Sequence, residues 1–385
     1  ITAIFEVLTE LYEEGDNWYF DFKKTRDLEI PIPYSKLQEE AGLADSEPLQ
    51  SHQGSLFSLT EEEYRIIQEI IDIENPNGEI IDPPPPVGPK ESFDKKRALS
   101  DLFIEKEQLD EILYQLEHQK NIVLQGPPGV GKTYMAKRLA YTLMESKDDS
   151  KIEMIQFHQS YSYEDFIQGF RPTEDGKFRL CDGVFYNFCL KARKDLENSY
   201  FFIIDEINRG NLSKIFGELM MLIEKDKRGK EFEIPLTYSK DDSTKFSVPE
   251  NVHLIGTMNT ADRSLAMVDY ALRRRFAFIA LAPMFDSDKF KSHLKECKIS
   301  DSLSGKIIAS FINLNLEISK DKNLGKGFRI GHSYFCPPKE MKTKEDVWYA
   351  GVIKYEIGPL IREYWFDNLQ EAEGQINLLN GVLDS

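Results

Sequence analysis

Apolar and polar segments alternate along the last three quarters of the chain, in a pattern that predicts a parallel sheet between helix layers. Short apolar runs predict five strands, at 121–125, 152–157, 200–204, 252–258 and 276–281. The segments between them predict helices, at 132–144, 182–194 and 212–224. Residues 200–204 are apolar throughout, as expected of a strand with both faces covered. Strands that alternate with helices indicate an α/β fold.

Other patterns predict smaller elements around this sheet. The alternating segment 231–248 contains Ser239-Lys240-Asp241-Asp242 and predicts an inserted β-hairpin. From about Asp286 onward the chain is mostly helical and polar, which predicts a smaller helical lid domain. Near the N-terminus, two short strands (18–22 and 28–32) and a helix (58–71) predict a small α+β segment.

Charge and proline content divide the chain further. Residues 1–80 hold 19 acidic and 5 basic residues, a net charge of −14, whereas the remaining residues carry a net charge of −4. The prolines of residues 82–89 cannot join a helix or a central strand, and they predict a semi-rigid linker. We therefore predict an acidic N-terminal segment (1–80), a linker (81–98), a sheet domain (99–284) and a helical lid (285–385).

Composition narrows the class of protein. With 41% apolar and 30% charged residues the chain is typical of a soluble globular protein, and its longest apolar run (276–282) is too short to cross a membrane. Four cysteines without CxxC spacing argue against a disulfide scaffold or a zinc site. With no export signal at the N-terminus, these features predict a cytoplasmic protein. Because the chain begins at Ile1 rather than Met, we expect it to be part of a longer one.

Residues 126–133 fit the phosphate-loop pattern G-x-x-x-x-G-K-[ST]. A predicted strand precedes the pattern and a predicted helix follows it, which distinguishes it from a surface turn rich in glycine and proline. Glycines let successive N–H groups point at phosphate oxygens, and the helix N-terminus adds positive charge. We predict that Lys132 faces the β/γ-phosphates and that the Thr133 hydroxyl binds Mg²⁺. The predicted nucleotide-binding residues are Gly126, Pro127, Pro128, Gly129, Val130, Gly131, Lys132, Thr133 and, as argued next, Asp205.

Two acids follow the apolar strand at 200–204. Asp205 and Glu206 would emerge at the carboxyl end of that strand, where ligands bind in open α/β sheets. We predict that Asp205 holds Mg²⁺ through water and that Glu206 polarises the attacking water. Together with the phosphate loop, this pair indicates nucleotide hydrolysis.

A further apolar strand also ends in polar residues. Asn259 follows the run 254–258, where its amide could orient the attacking water or contact the γ-phosphate. Three arginines, Arg273, Arg274 and Arg275, precede the last strand and cannot all face one way. At least one could project into the site of a neighbouring subunit as an arginine finger.

These motifs, in this order, resemble the AAA+ module, and more closely the McrB family of modification-dependent restriction systems. The resemblance runs from about Leu102 to about Asp367 and rests on five blocks, at 125–133, 157–169, 205–209, 258–264 and 325–335. It implies GTP rather than ATP as substrate, a hexameric ring, DNA translocation toward modified cytosines, and an McrC-type partner that stimulates hydrolysis and carries the nuclease.

The same resemblance implies roles for individual residues. Asn259, Asp262 and Arg263 would belong to the signature that sets the attacking water, and Arg274, with Arg275 next, would be the finger. The chain contains no Asn-Lys-x-Asp sequence, so its residues alone do not distinguish GTP from ATP.

Some patterns leave alternatives open. Aromatics at 157–169 could line a pore, stack on a nucleic-acid strand or pack internally, and His158 is predicted to be buried. Residues 327–335 could bring Arg329 to a phosphate or could serve packing alone. The segment 1–80 weakly resembles the rear part of an EVE- or PUA-type reader of modified bases, although its negative charge is unlike that of a phosphate-binding surface.

Two other functions compete with the restriction motor. A MoxR-type AAA+ chaperone that remodels a protein partner shares the sheet, the loop and the finger, and the acidic charge favours it slightly. A nucleotide-regulated scaffold without hydrolysis is the third, and Glu206 argues against it.

Overall fold

A computed structural model describes residues 91–172, 176–239, 245–262, 270–339 and 343–383, with shorter stretches before residue 91. The chain divides into two compact units, Ile1–Pro89 and Lys90–Ser385. Residues 81–90 of the predicted linker (81–98), the segment 53–60 and the strand residues 28–31 lie outside the described residues. The end of the predicted linker is wrong, because residues 95–98 belong to the helix Lys95–Asp101.

The first unit contains two antiparallel strand pairs. Strands β1 (Ala3–Val7) and β4 (Phe22–Asp27) pair with each other, as do β2 (Tyr12–Glu14) and β3 (Asn17–Tyr19). The single strand predicted at 18–22 is wrong, because Trp18 pairs with Glu13 in one hairpin whereas Phe22 pairs with Val7 in the other pair. Of the helix predicted at 58–71, the described residues 63, 65–67, 70 and 71 are helical.

The second unit is built on a parallel sheet of five strands, in the order β13-β5-β12-β9-β6. Two antiparallel hairpins, β7–β8 and β10–β11, accompany it. The bounds are β5 (Asn121–Gly126), β6 (Ile152–Gln156), β7 (Gln168–Pro172), β8 (Phe178–Asp182), β9 (Tyr200–Asp205), β10 (Ile234–Pro235), β11 (Lys245–Phe246), β12 (Val252–Asn259) and β13 (Ala277–Ala280). The predicted α/β architecture is confirmed.

Helices cover both faces of this sheet. Those of the sheet domain are α1 (Lys95–Asp101), α2 (Lys106–Gln119), α3 (Lys132–Met144), α4 (Tyr163–Phe166), α5 (Val184–Arg193), α6 (Leu212–Phe216), α7 (Leu219–Leu222) and α8 (Tyr270–Arg273). Successive residues of β9 enter different cores: Phe201 and Ile203 pack with α2 and α3, whereas Phe202 and Ile204 pack with α5 and α6. This is why residues 200–204 of the strand are all apolar.

Two sheet-domain predictions need correction. The helix predicted at 212–224 breaks at Gly217, which has a left-handed φ of 49°. An added Cβ there would lie 3.0 Å from the Tyr163 ring, so the break is built into the packing. The hairpin β7–β8 was not predicted. The hairpin predicted at 231–248 forms with strands of two residues each, and its residues 240–244 lie outside the described part of the chain.

The lid is helical, as predicted. Its helices are α9 (Asp288–Glu296), α10 (Asp301–Lys320), α11 (Glu345–Val352), α12 (Gly358–Tyr364) and α13 (Leu369–Asn380). Ser287 and Ser300 cap α9 and α10, each accepting a hydrogen bond from a backbone N–H in the first turn. Aromatic side chains fill the lid core, among them Phe285, Phe311, Phe335 and Tyr349. In the part of the chain that the structure describes, no helix has the length and apolar character of a membrane span.

Candidate functional site

The phosphate loop, residues 126–132, joins β5 to α3. Gly129 and Gly131 have left-handed φ angles of 76° and 77°, which favour glycine over any side-chain-bearing residue. The Lys132 ammonium donates to the carbonyls of Gly126 and Pro127, both at 3.0 Å. Burial lowers the pKa of Lys132, and the nearby carboxylates of Glu206 and Asp205 oppose that shift. The ammonium therefore lies over the loop whose N–H groups are predicted to bind phosphate.

Strand register brings the predicted acids to this loop. β12 lies between β5 and β9, with Gly256 opposite Ile204 and Asn259 opposite Gly126. Thr257 is therefore level with Asp205, the last residue of β9. The carboxyl ends of three parallel strands thus meet at one sheet edge, the usual place for ligands in open α/β sheets.

A three-residue oxygen cluster forms around Asp205. Its Oδ1 accepts hydrogen bonds from the hydroxyls of Thr133 at 2.8 Å and Thr257 at 2.5 Å. Thr257 was not predicted, and its signal was a polar residue near the carboxyl end of a mostly apolar strand. Mg²⁺ prefers oxygen ligands, keeps several waters and takes few from protein, so Thr133 and Asp205 fit the ion. Among the described residues no group of three or more His, Cys, Asp or Glu could hold a metal.

Glu206 occupies a constrained position next to this cluster. Its φ of 51° is left-handed, and its N–H donates to the Thr257 hydroxyl at 3.2 Å. Burial raises the pKa of the Glu206 carboxyl, while Arg209 and Lys132 pull it down. A backbone strained in this way at a strand end is typical of functional sites.

Arg209 connects two of the predicted catalytic acids. Its Nε lies 3.5 Å from Glu206 Oε2, and its Nη2 lies 3.2 Å from Asp262 Oδ2. Residue type gave no sign of this role, because the two partners are 56 positions apart in sequence and meet only through the sheet register. Arg209 therefore lies between the two carboxylates, hydrogen-bonded to Asp262 and within ion-pair distance of Glu206.

The predicted sensor residues occupy the tip of β12. Asn259 Oδ1 accepts from the Ala261 N–H at 3.1 Å, which orients the amide. The Thr260 N–H donates to the Gly126 carbonyl at 3.1 Å, so the tip is attached to the phosphate loop. Arg263 lies outside the described residues, and its predicted role stays a prediction.

The three arginines have different surroundings. Arg273 and Arg274 are exposed, and the Arg273 guanidinium carbon lies 5.9 Å from the centre of the Phe278 ring. The Arg275 side chain is only 8% exposed and pairs with Glu224 at 2.6 Å. Its own subunit thus holds Arg275, which argues against the predicted finger role for that residue and leaves Arg274 as the candidate.

The aromatic block at 157–169 mainly serves packing. Phe157 and Phe166 are fully buried and contact each other edge to face, and the Tyr163 hydroxyl donates to Glu218 at 2.7 Å. The prediction that His158 is buried is wrong: His158 is exposed and begins the exposed stretch 158–160 that follows the buried Phe157.

Lid residues contact the phosphate loop through their backbone. The N–H groups of Gly331 and Ser333 donate to the carbonyls of Pro128 (2.9 Å) and Gly129 (2.8 Å). Arg329 Nε instead donates to the Lys326 carbonyl at 3.1 Å. The structure therefore supports a packing role for this lid segment and shows no approach of Arg329 to the loop.

A cavity of about 690 Å³ opens beside Gly131, between the loop, α1 and the lid. Its wall includes Asp101, Phe103, Tyr134 and His332. His332 is buried, and its Nδ1 accepts a hydrogen bond from the Met284 N–H at 3.1 Å. Burial lowers the pKa of His332 to about 4, so this imidazole is neutral near pH 7.

Comparisons with known proteins agree with this geometry. Residues 121–276 match the family model for the AAA domain of the dynein-related subfamily, and residues 306–373 match the model for the McrB alpha-helical lid domain. The Type IV methyl-directed restriction enzyme EcoKMcrB subunit of Escherichia coli K12 is 54% identical over 299 residues. That alignment covers 77% of this chain, which spans 65% of the E. coli protein. The Type II restriction enzyme BsuMI component YdiS of Bacillus subtilis 168 is 24% identical over 54% of this chain and 72% of its own length.

Proposed function

Because this chain is an McrB-like AAA+ protein, we propose that it is the GTP-hydrolysing motor subunit of a modification-dependent restriction complex. One observation carries the hydrolytic part of the proposal: Lys132, Thr133, Asp205 and Glu206 meet at one sheet edge, next to the tip of β12. This arrangement has the parts that phosphoryl transfer to water requires.

Each residue has a separate task in the proposed reaction. Backbone N–H groups of the loop and the Lys132 ammonium bind the β- and γ-phosphates. Thr133 and Asp205 would hold Mg²⁺, which neutralises charge on the phosphate oxygens. Glu206 accepts a proton from the attacking water, and the Asn259 amide orients that water. Arg209 keeps Glu206 in place through its contacts with Glu206 and Asp262.

A ring of subunits would complete the site. Arg274 is exposed on the segment between α8 and β13, so it could reach the nucleotide of a neighbouring subunit in the proposed hexamer. Charge supplied in this way stabilises the transition state and is worth about 10³–10⁵ in turnover.

The cavity beside Gly131 is the proposed base pocket. It adjoins the loop at the start of α3 and is large enough for a nucleoside. Guanine presents N–H donors at N1 and N2, which a carboxylate can accept, whereas adenine presents an acceptor at N1. Three carboxylates line the cavity: Asp101, Asp288 and Glu296.

Asp101 is the most enclosed of these carboxylates. Its side chain is 31% exposed, against 96% for Asp288 and 60% for Glu296. Arg138 Nε lies 3.6 Å from Asp101 Oδ2, too far for a hydrogen bond, so the carboxylate keeps accepting capacity. We therefore assign Asp101 as the reader of the guanine edge.

Substitution of Asp101 tests the nucleotide preference. Wild type should bind GTP more tightly than ATP in competition with a fluorescent GTP analogue. Asp101→Asn should lose at least about 10-fold in GTP affinity and gain affinity for xanthosine triphosphate, because the amide can donate to the xanthine 2-carbonyl. Asp288→Asn, at a solvent-exposed carboxylate, is the control and should change neither. Equal wild-type affinity for GTP and ATP would overturn the assignment of GTP as the substrate. An unchanged nucleotide preference in Asp101→Asn would overturn only the role of Asp101 in reading the base.

Partners follow from the relatives and stay part of the proposal. The E. coli relative is named as a subunit of a methyl-directed restriction enzyme, and the B. subtilis relative as a component of a restriction enzyme. We therefore propose an McrC-like nuclease subunit and DNA with modified cytosine as partners in the cytoplasm. Residues 1–80 are the candidate reader of that DNA. The McrB-type lid favours this function over the MoxR-like chaperone.

A further inference from the structure

A lid segment crosses the nucleotide site and contacts it at two places. This lid strap, residues 326–335, lies between α10 and α11 and begins and ends with short 3₁₀ turns. At its far end, Gly331 and Ser333 donate to the carbonyls of Pro128 and Gly129 in the phosphate loop. A Cβ added to Gly331 would lie 2.0 Å from the Gly129 carbonyl carbon, so the two backbones are in direct contact.

The near end of the lid strap contacts the tip of β12 through Thr260. The Thr260 hydroxyl donates to the Gly327 carbonyl at 2.8 Å. Gly327 is close enough that an added Cβ would lie 3.1 Å from the Thr260 carbonyl oxygen. The hydroxyl is thus the hydrogen-bond link from the lid to the strand that carries Asn259.

Thr260 also contacts the phosphate loop. Its N–H donates to the Gly126 carbonyl at 3.1 Å, and that carbonyl accepts from the Lys132 ammonium at 3.0 Å as well. One residue therefore bonds to the loop through its backbone and to the lid through its side chain. Thr260 directly follows Asn259, whose amide oxygen accepts a hydrogen bond from the Ala261 N–H.

We infer that Thr260 is a positioning residue that couples the lid to the water-orienting amide of Asn259. When the lid is in the position seen here, the Thr260 hydroxyl fixes the strand tip and with it the Asn259 amide. When the lid moves, Gly327 moves with it and the Thr260 hydroxyl loses its acceptor. The strand tip then keeps its backbone bond to the phosphate loop but loses this link to the lid, and the Asn259 amide is held less firmly. This coupling rests on the proposed hydrolysis, because it acts on turnover rather than on binding.

The test compares Thr260→Val with Thr260→Ser in the full chain. Valine keeps the β-branched shape and removes the hydroxyl, whereas serine keeps the hydroxyl. Thr260→Val should lower kcat for GTP about 10- to 100-fold, the scale of a displaced reacting group, with affinity for a fluorescent GTP analogue within about 3-fold of wild type. Thr260→Ser should remain within about 3-fold of wild type in both. If Thr260→Val does not fold, as judged by thermal unfolding, Thr260→Ala serves in its place.

A double-variant cycle separates positioning from a general structural effect. If Thr260 acts through Asn259, Thr260→Val should cause little further loss in an Asn259→Ala background. Three results would each overturn the inference. They are a wild-type kcat in Thr260→Val, equal losses of kcat in Thr260→Val and Thr260→Ser, and losses of kcat in Thr260→Val and Asn259→Ala that add fully in the double variant. Wild-type turnover in Asn259→Ala alone would instead contradict the proposed function of that residue, so the two failures can be distinguished.

Discussion

The proposed nucleotide site has two sides that are built differently. On the sheet side, the site is formed by the side chains of Lys132, Thr133, Asp205 and Glu206, which lie at strand ends and at the start of α3. On the lid side, the backbone of residues 331–333 bonds to the loop, and glycines allow the close approach. A contact made by a side chain requires a particular residue type, and a sequence motif shows that requirement. A close backbone contact mainly requires that no side chain be present. The sheet side should therefore be sensitive to loss of a group and the lid side to gain of one.

The largest effect is expected on the sheet side. Lys132→Ala removes the ammonium that faces the β/γ-phosphates, and we expect it to abolish nucleotide binding. Equilibrium binding of a fluorescent GTP analogue measures this. Lys295→Ala, at an exposed lysine of α9, is the matched control and should bind as wild type does. Micromolar affinity retained in Lys132→Ala would show that the loop binds phosphate through its backbone alone.

Arg274 is proposed to add a further side chain to the site from a neighbouring subunit. Arg274→Ala should bind nucleotide and keep its fold but lose about 10³-fold or more in turnover, because a finger acts only on the transition state. Mixed rings with Glu206→Gln should recover some activity, since one interface then pairs an intact Glu206 with an intact Arg274. Rings shown by mass to contain both variants but lacking recovery would place Arg274 in its own subunit's site or in a structural role.

A single added methyl tests the lid side. Gly331→Ala places a Cβ 2.0 Å from Gly129 and should separate the lid strap from the loop, weakening binding of the GTP analogue at least about 10-fold through displaced loop geometry. Gly305→Ala is the control: it lies in α10 with nothing within 4 Å of the added Cβ, and it should leave binding unchanged while slightly raising the unfolding temperature. Equal binding in both variants would contradict a backbone role for the strap.

The smallest effect concerns Arg275, which we expect to act on stability. Arg275→Ala leaves the Glu224 carboxylate without its partner, which should lower the free energy of unfolding by about 1–3 kcal/mol. Arg274→Ala, at an exposed site, should change it by less than about 0.5 kcal/mol. Denaturant unfolding of both variants measures the difference. A reversed order would mean that the cis ion pair contributes little and would reopen Arg275 as a finger.

The sheet side was largely predictable from sequence. The apolar run before Asp205 and Glu206, and the glycines before Lys132, record local constraints that the chain itself displays. The parallel α/β pattern then places the carboxyl ends of the strands at one edge of the sheet, although it does not give the order of the strands.

The rest depends on contacts between distant parts of the chain. Thr257 and Arg209 gain their roles because β12 lies next to β9, a pairing that no local pattern encodes. The helix break at Gly217 reflects the neighbouring Tyr163 ring, and the lid contact at Gly331 reflects the loop backbone. The exposure of His158 also could not be predicted, because residue type does not show which residues of an aromatic-rich segment face solvent.

The central claim is that the edge formed by Asp205, Glu206 and the phosphate loop hydrolyses GTP. The most direct measurement is Mg²⁺-dependent GTP turnover of wild type and Glu206→Gln, with binding of the GTP analogue measured on the same samples. We predict that Glu206→Gln binds normally and turns over at least about 10²-fold more slowly, the scale of one general base. Wild-type turnover in that variant would contradict the proposed role of Glu206. No GTP turnover by wild type, with or without the proposed McrC-like subunit, would contradict GTP hydrolysis at this edge.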